Sequence, residues 1–193
     1  MGSCFQIITN DNKNQKVPKR LSTQDQLTSH ESKAFLISCM DFRLIDDMVR
    51  AMDSMGYNNN YDQFILAGSS LGLTQTKFEH WGKSAIDHME IGKQLHHFRE
   101  IIIIDHMDCG AYKKFYPEIS CKDDELKLHH ENFHKAYQKL AAKFPNLTFR
   151  AFLMEIDGSF NEVFLKTQEN AHDGIQDEHE EAKTKFLADI KKC

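Results

Sequence analysis

The chain has 193 residues, 40% apolar and 27% charged, a composition that allows one soluble α/β domain with a real core and forces no second one. A formal net charge of −5 leaves no basic footprint, which argues against nucleic acid as a partner. No apolar run approaches the roughly 20 residues that cross a bilayer, and the polar N-terminus lacks a secretory apolar stretch, so a cytoplasmic protein without membrane contact is expected. Met1-Gly2-Ser3-Cys4 hints at acylation, but Gln6 stands where the pattern wants Ser or Thr. Five widely spread cysteines fit free thiols, some of them ligands, better than a disulfide framework.

Residues 1–30 are polar and contain Pro18, which predicts an irregular N-terminal arm able to drape over a partner subunit; residues 31–193 are expected to form a single domain. Ala34-Phe35-Leu36-Ile37-Ser38 has the length and residue types of a buried strand, and it stops at Cys39. Leu44, Met48, Met52 and Met55 follow at helical spacing, with Gly56 where a C-terminal glycine belongs. A second strand is predicted at Gln63-Phe64-Ile65-Leu66, then a turn at Ala67-Gly68-Ser69-Ser70 and a helix over 76–97. Glu100 to Asp105 is a continuous β-branched run typical of a central strand covered on both faces, and it ends at His106. A charged helix from about Glu125 to Phe144, a fourth strand from Leu147 to Ile156 and polar helical segments complete the prediction.

Strands alternating with helices imply right-handed crossovers and a mainly parallel β-sheet flanked by helices. Sites in such sheets form at the strands' C-terminal ends. Cys39 follows the first strand and His106 with Cys109 follows the third, so the periodicity brings all three to one edge. Two thiolates and one imidazole suit a borderline-soft ion such as Zn2+, and three protein ligands leave a fourth position open for catalysis. Spacing alone leaves two readings of His106-Met107-Asp108-Cys109: a metal-binding turn, or a buried cysteine beside an ordinary histidine.

Cys39-Met40-Asp41-Phe42-Arg43, then His106-Met107-Asp108-Cys109-Gly110-Ala111, resembles the paired Cys-x-Asp-x-Arg and His-x-x-Cys-Gly motifs of the β-carbonic anhydrases, in the same order. Ala67-Gly68-Ser69 is similar to the family's intervening Ala-Gly element. The resemblance covers roughly residues 33–115 well and runs more weakly through Asp157-Gly158. It implies that Cys39, His106 and Cys109 hold zinc and that Asp41 and Arg43 form a catalytic dyad beside the open position. It also implies that Ala67, Gly68, Ser69 and Gly110 line the substrate pocket. The implied activity is that of a lyase, the reversible hydration of carbon dioxide to bicarbonate by zinc-bound hydroxide. The implied assembly is a homodimer or dimer of dimers, and Asp41 can ligate zinc in a closed resting state of the family.

Two departures alter the expected pocket wall. Asp105 stands where the family usually has Gly, and Ile65-Leu66 replaces an Arg-Asn pair. Asp105 is expected near zinc, either orienting a ligand or repelling bicarbonate. Related members of the fold perform other zinc-hydroxide chemistry, including carbon disulfide hydrolysis, so another small electrophile and a noncatalytic zinc-binding homologue are the alternatives. His130-Glu131-Asn132-Phe133-His134 matches a His-Glu-x-x-His peptidase motif. A hydrophilic setting, eleven histidines in the chain and no identifiable third ligand favour a solvated helix face. Phe78, Trp81 and the helical methionines read as core or dimer packing, Cys121 and Cys193 as inert thiols, and His172 to Glu181 as a solvated segment.

Overall fold

The computed structural model describes residues 30–163. The N-terminal arm apart from His30, the segment His172 to Glu181, Cys4 and Cys193 lie outside them. Strand β1, Ala34–Ser38, is buried along its whole length because both of its faces are covered. Phe35 and Ile37 point into one cluster, whereas Ala34 and Leu36 point into another, as the two-residue period of a strand requires. A 3-10 turn, Phe42–Leu44, leads into helix α1, Ile45–Ser54, whose Met48, Ala51 and Met52 seal the second cluster. Gly56 leaves the helix at φ +84, a conformation that favours glycine.

Strand β2 is Tyr61–Ile65, and the short helix α2, Ser70–Thr74, follows the Ala67-Gly68-Ser69 turn. Helix α3, Glu79–His96, packs Ala85 and Met89 against the first cluster. Strand β3, Glu100–His106, contributes Ile101 and Ile103 to one face and Ile102 and Ile104 to the other. Helix α4 is Gly110–Phe115, and α5 is Lys122–Lys143, with Phe133, Ala136 and Leu140 in the first cluster. Strand β4, Thr148–Met154, and strand β5, Phe160–Val163, complete a five-stranded sheet of order β2-β1-β3-β4-β5. The first four strands are parallel, and β5 is antiparallel to β4. The expected mainly parallel sheet flanked by helices is therefore the fold.

Several predicted boundaries differ by one to three residues, among them α5, which begins at Lys122, and β4, which ends at Met154; three differences have a clear local reason. β2 begins two residues early: it lies at the edge of the sheet, so polar Tyr61 and Asp62 can pair with Ala34 and Phe35. Helix α3 starts three residues late, at Glu79, because the Gln75 side chain closes the preceding turn against the backbone of Phe78. The segment expected to be helical after β4 instead opens with a hairpin. Asp157 Oδ1 accepts from the Ser159 amide at 2.9 Å and hydroxyl at 2.7 Å, and Gly158 takes φ +85, which turns the chain back as β5.

Strands β1 and β3 are neighbours, yet the chain leaves them in opposite directions, to β2 on one side and β4 on the other. The C-terminal ends of β1 and β3 thus flank a topological switch point, the place in an open parallel sheet where a crevice forms. Cys39 follows one of these strands and His106 ends the other.

Candidate metal centre

Cys39, His106 and Cys109 come together at this crevice, with one donor atom from each lying within 4.8 Å of the others. The two Sγ atoms stand 3.9 Å apart. This is too long for a disulfide and close to the separation of about 3.8 Å that two thiolates at roughly 2.3 Å from a tetrahedral zinc would have. His106 is 1% exposed. Its Nδ1 lies 2.9 Å from the Met107 carbonyl, a contact that places the ring proton on that nitrogen. Nε2 is then a bare lone pair, buried and without a hydrogen-bond partner. Burying such a group without a partner is unfavourable, so a nitrogen fixed in this tautomer beside two sulfurs fits a metal ion.

The electrostatics fit as well. The Cys109 thiol donates towards Cys39 and, together with His106 and the Gly68 amide at 3.4 Å, holds Cys39 down at about 4 despite burial. Cys109 is driven well up by the same contact and by burial, so the pair shares one proton. For His106 burial opposes protonation, but the neighbouring Cys39 sulfur and its charge outweigh burial and raise the imidazole.

Asp41 caps the 3-10 turn by accepting the Arg43 amide at 3.0 Å on Oδ1. The Arg43 guanidinium also grips it from the side, with Nε on Oδ1 at 3.0 Å and Nη2 on Oδ2 at 2.8 Å. That contact holds the carboxyl down at about 2. Asp41 Oδ2 is 3.8 Å from His106 Nε2, so the carboxylate borders the crevice. Arg43 is fixed in turn by Asp108, whose carboxylate and carbonyl accept from it at 2.8 and 3.0 Å. Asp108 takes φ +59, a left-handed conformation that Asp tolerates better than most residues, and Lys113 pairs with its other oxygen.

A family profile described as "Putative carbonic anhydrase" matches residues 29–163. The chain belongs to this family. It is 40% identical over 150 residues to a protein of Rickettsia bellii (strain RML369-C) described as uncharacterized, an overlap of 77% of this chain and 92% of that one. An uncharacterized protein of Rickettsia conorii (strain ATCC VR-613 / Malish 7) is 37% identical over 154 residues, 78% of this chain and 83% of that one. Among solved structures it is similar to the carbonic anhydrase from Glaciozyma antarctica, at 15% identity and a TM-score of 0.45 over 70% of this chain and 83% of that chain.

The remaining predicted site residues in this family member fall in different places. Gly68, at φ +72, brings its amide to Cys39, and a Cβ there would meet Ala111 at 3.2 Å. Ala67 is half-buried, whereas Ser69 is fully buried and spends its hydroxyl on the Ile37 carbonyl at 3.2 Å. Gly110 opens α4 beside Cys109, with open space where a side chain would be. Ile65 is exposed, but Leu66 packs in the core. His134 is exposed and lies 3.0 Å from Gln138, and neither it nor His130 joins the metal-binding group.

Asp105 departs furthest from expectation. It is 1% exposed and bonded to Ser70, Tyr112 and His129, with no hydrogen bond towards the crevice. Motif reasoning missed these partners and Glu125, which accepts the Cys109 amide at 2.9 Å. Helical spacing offered a signal, since His129 lies on the stripe of Phe133, Ala136 and Leu140 that faces the core.

Proposed function

We propose that this chain is a zinc enzyme that reversibly hydrates carbon dioxide to bicarbonate, with Cys39 Sγ, His106 Nε2 and Cys109 Sγ as the metal's ligands. The observation that carries this reading is the partnerless, buried His106 Nε2 facing two sulfurs 3.9 Å apart, with the Asp41 carboxylate 3.8 Å away. Zinc at such a site supplies a Lewis acid that generates a hydroxide nucleophile near neutral pH.

The chain's own groups supply the orientation. Asp41 stays ionised and accepts a hydrogen bond from the attacking water, aiming its lone pair at the carbon of the substrate. Arg43 keeps Asp41 from collapsing onto the metal by occupying both of its oxygens. The Ala67-Gly68-Ser69 turn and Gly110 form the neighbouring wall through their backbone, where small residues let a small linear substrate approach. Homodimer or dimer-of-dimers assembly belongs to the same proposal. It is supported by Met40, Phe42 and Ile45, apolar residues of the segment that carries the dyad, which are 65%, 81% and 58% exposed. A reducing, cytoplasmic setting is supported by Cys39 and Cys109, which stand 3.9 Å apart and form no disulfide with each other. No helix among the described residues is long and apolar enough to cross a membrane.

Stopped-flow hydration of carbon dioxide on protein of known zinc content tests the proposal. Turnover well above the uncatalysed rate and rising with pH is expected, together with loss of zinc in Cys39→Ala but not in His134→Ala. One zinc per chain with no hydration at any pH would overturn it. Carbon disulfide would then be the next electrophile to try, and a noncatalytic zinc protein the remaining reading.

A further inference from the structure

Behind the three ligand candidates lies a buried polar cluster that the chemistry at the open edge does not use. Asp105 Oδ1 accepts the Ser70 amide at 2.9 Å. Its Oδ2 gathers the Ser70 hydroxyl at 2.5 Å, the Tyr112 hydroxyl at 2.8 Å and His129 Nδ1 at 2.8 Å. Asp105 is 1% exposed, and Ser70, Tyr112 and His129 are fully buried. A carboxylate so deeply buried persists only with a full set of donors, and here three separate segments supply them.

The cluster reaches both cysteines from the protein side. Ser70 directly follows the turn in which the Gly68 amide points at Cys39 Sγ. On the other side His129 Nε2, which makes no hydrogen bond, faces Glu125 Oε1 at 3.8 Å across an electrostatic contact, and that oxygen accepts the Cys109 amide at 2.9 Å. We infer that Asp105 and His129 form a buried brace that holds the two thiolates in ligand geometry, one arm running through Ser70 to Cys39 and the other through Glu125 to Cys109. The inference rests on the reading of those cysteines as zinc ligands and adds positioning residues to it. Burial opposes a charge on His129, but the hydrogen bond to Asp105, with Glu125 beside it, outweighs burial and raises the imidazole. The brace also accounts for a carboxylate where the family usually has glycine: Asp105 faces inward and is occupied by protein donors.

The test is zinc affinity of the full chain, measured by competition with a chromophoric chelator, together with the thiolate-to-cobalt absorption of the Co2+-substituted protein. His129→Phe removes both arms of the imidazole and is expected to raise the zinc Kd by about 10- to 100-fold and to shift the cobalt band. His129→Asn, which places an amide donor where Nδ1 stood, should recover part of both. Wild-type affinity and an unshifted band in folded His129→Phe would overturn the brace while leaving the ligand assignment intact. Wild-type protein that takes up no zinc would overturn the ligand assignment and the brace with it. Should His129→Phe not fold, the comparison moves to Glu125, at the outer end of the brace. Weaker zinc binding in Glu125→Ala with recovery in Glu125→Gln supports the brace, and equal affinity in all three proteins overturns it.

Discussion

Arg43 holds Asp41 by two parallel contacts, Nε to Oδ1 at 3.0 Å and Nη2 to Oδ2 at 2.8 Å, while its far side is anchored on Asp108. The fork leaves Asp41 3.8 Å from His106 Nε2 without letting it approach further. Removing the guanidinium frees a carboxylate beside the metal position. Arg43→Ala is therefore expected to keep its zinc but lose about 10- to 100-fold in kcat/KM for carbon dioxide hydration. Arg43→Lys should recover little, because an ammonium cannot reproduce the planar fork. Zinc assay with stopped-flow kinetics checks both, and full activity in Arg43→Ala would sink the assigned role.

The Arg43 hydrogen bonds depress Asp41 from its ordinary 3.8 to about 2. A carboxylate whose folded pKa lies below its unfolded value stabilises the fold above the unfolded value, and that contribution is lost as pH falls through the folded one. The difference in Tm between wild type and Asp41→Asn should be constant from neutral pH down to about 4 and should shrink between about 4 and 2. A difference that instead changed between pH 6 and 8 would show that Asp41 is not held in this way.

Zinc uptake should release protons. Cys39, held at about 4, is already a thiolate at neutral pH, but Cys109 is pushed up and must shed its proton. Titration calorimetry at pH 7 in buffers of different ionisation enthalpy should show at least about one proton released per zinc, with affinity falling as pH is lowered. Uptake without proton release would contradict the assigned ligands.

Much of the fold was legible because hydrophobic period and strand length carry it: the Ile101 to Ile104 run could hardly be anything but a central strand, and Met48 and Met52 announced a helix face. The edge where Cys39, His106 and Cys109 meet followed from parallel strand order, and the structure brings the three together. The brace was not legible in the same way. Asp105 stood out as a charge where the resemblance implies glycine, but its expected place was beside zinc, and Ser70, Tyr112 and His129 come from separate helices that no spacing rule connects. The β4 to β5 hairpin was missed because a helical pattern in the polar C-terminal sequence masked the turn that Asp157 and Ser159 form between them.

The turn that carries Gly68 leans on another glycine. A Cβ at Gly72 would lie 2.4 Å from Leu66 Cγ and 2.7 Å from the Ala67 carbonyl oxygen, and the backbone contact cannot yield without moving the turn. Gly72→Ala should destabilise the protein by about 1–3 kcal/mol in urea denaturation, despite the better helix propensity of alanine. A neutral or stabilising result would mean that α2 can shift freely.

Cys39 and Cys109 are 70 positions apart, on loops after two different strands. A short zinc finger can gather its ion on a local segment, but a donor set drawn from so far along the chain exists only after β1, β3 and the elements between them have docked. An ion captured there works as a checkpoint: it rewards the finished topology and offers nothing to a partly folded chain.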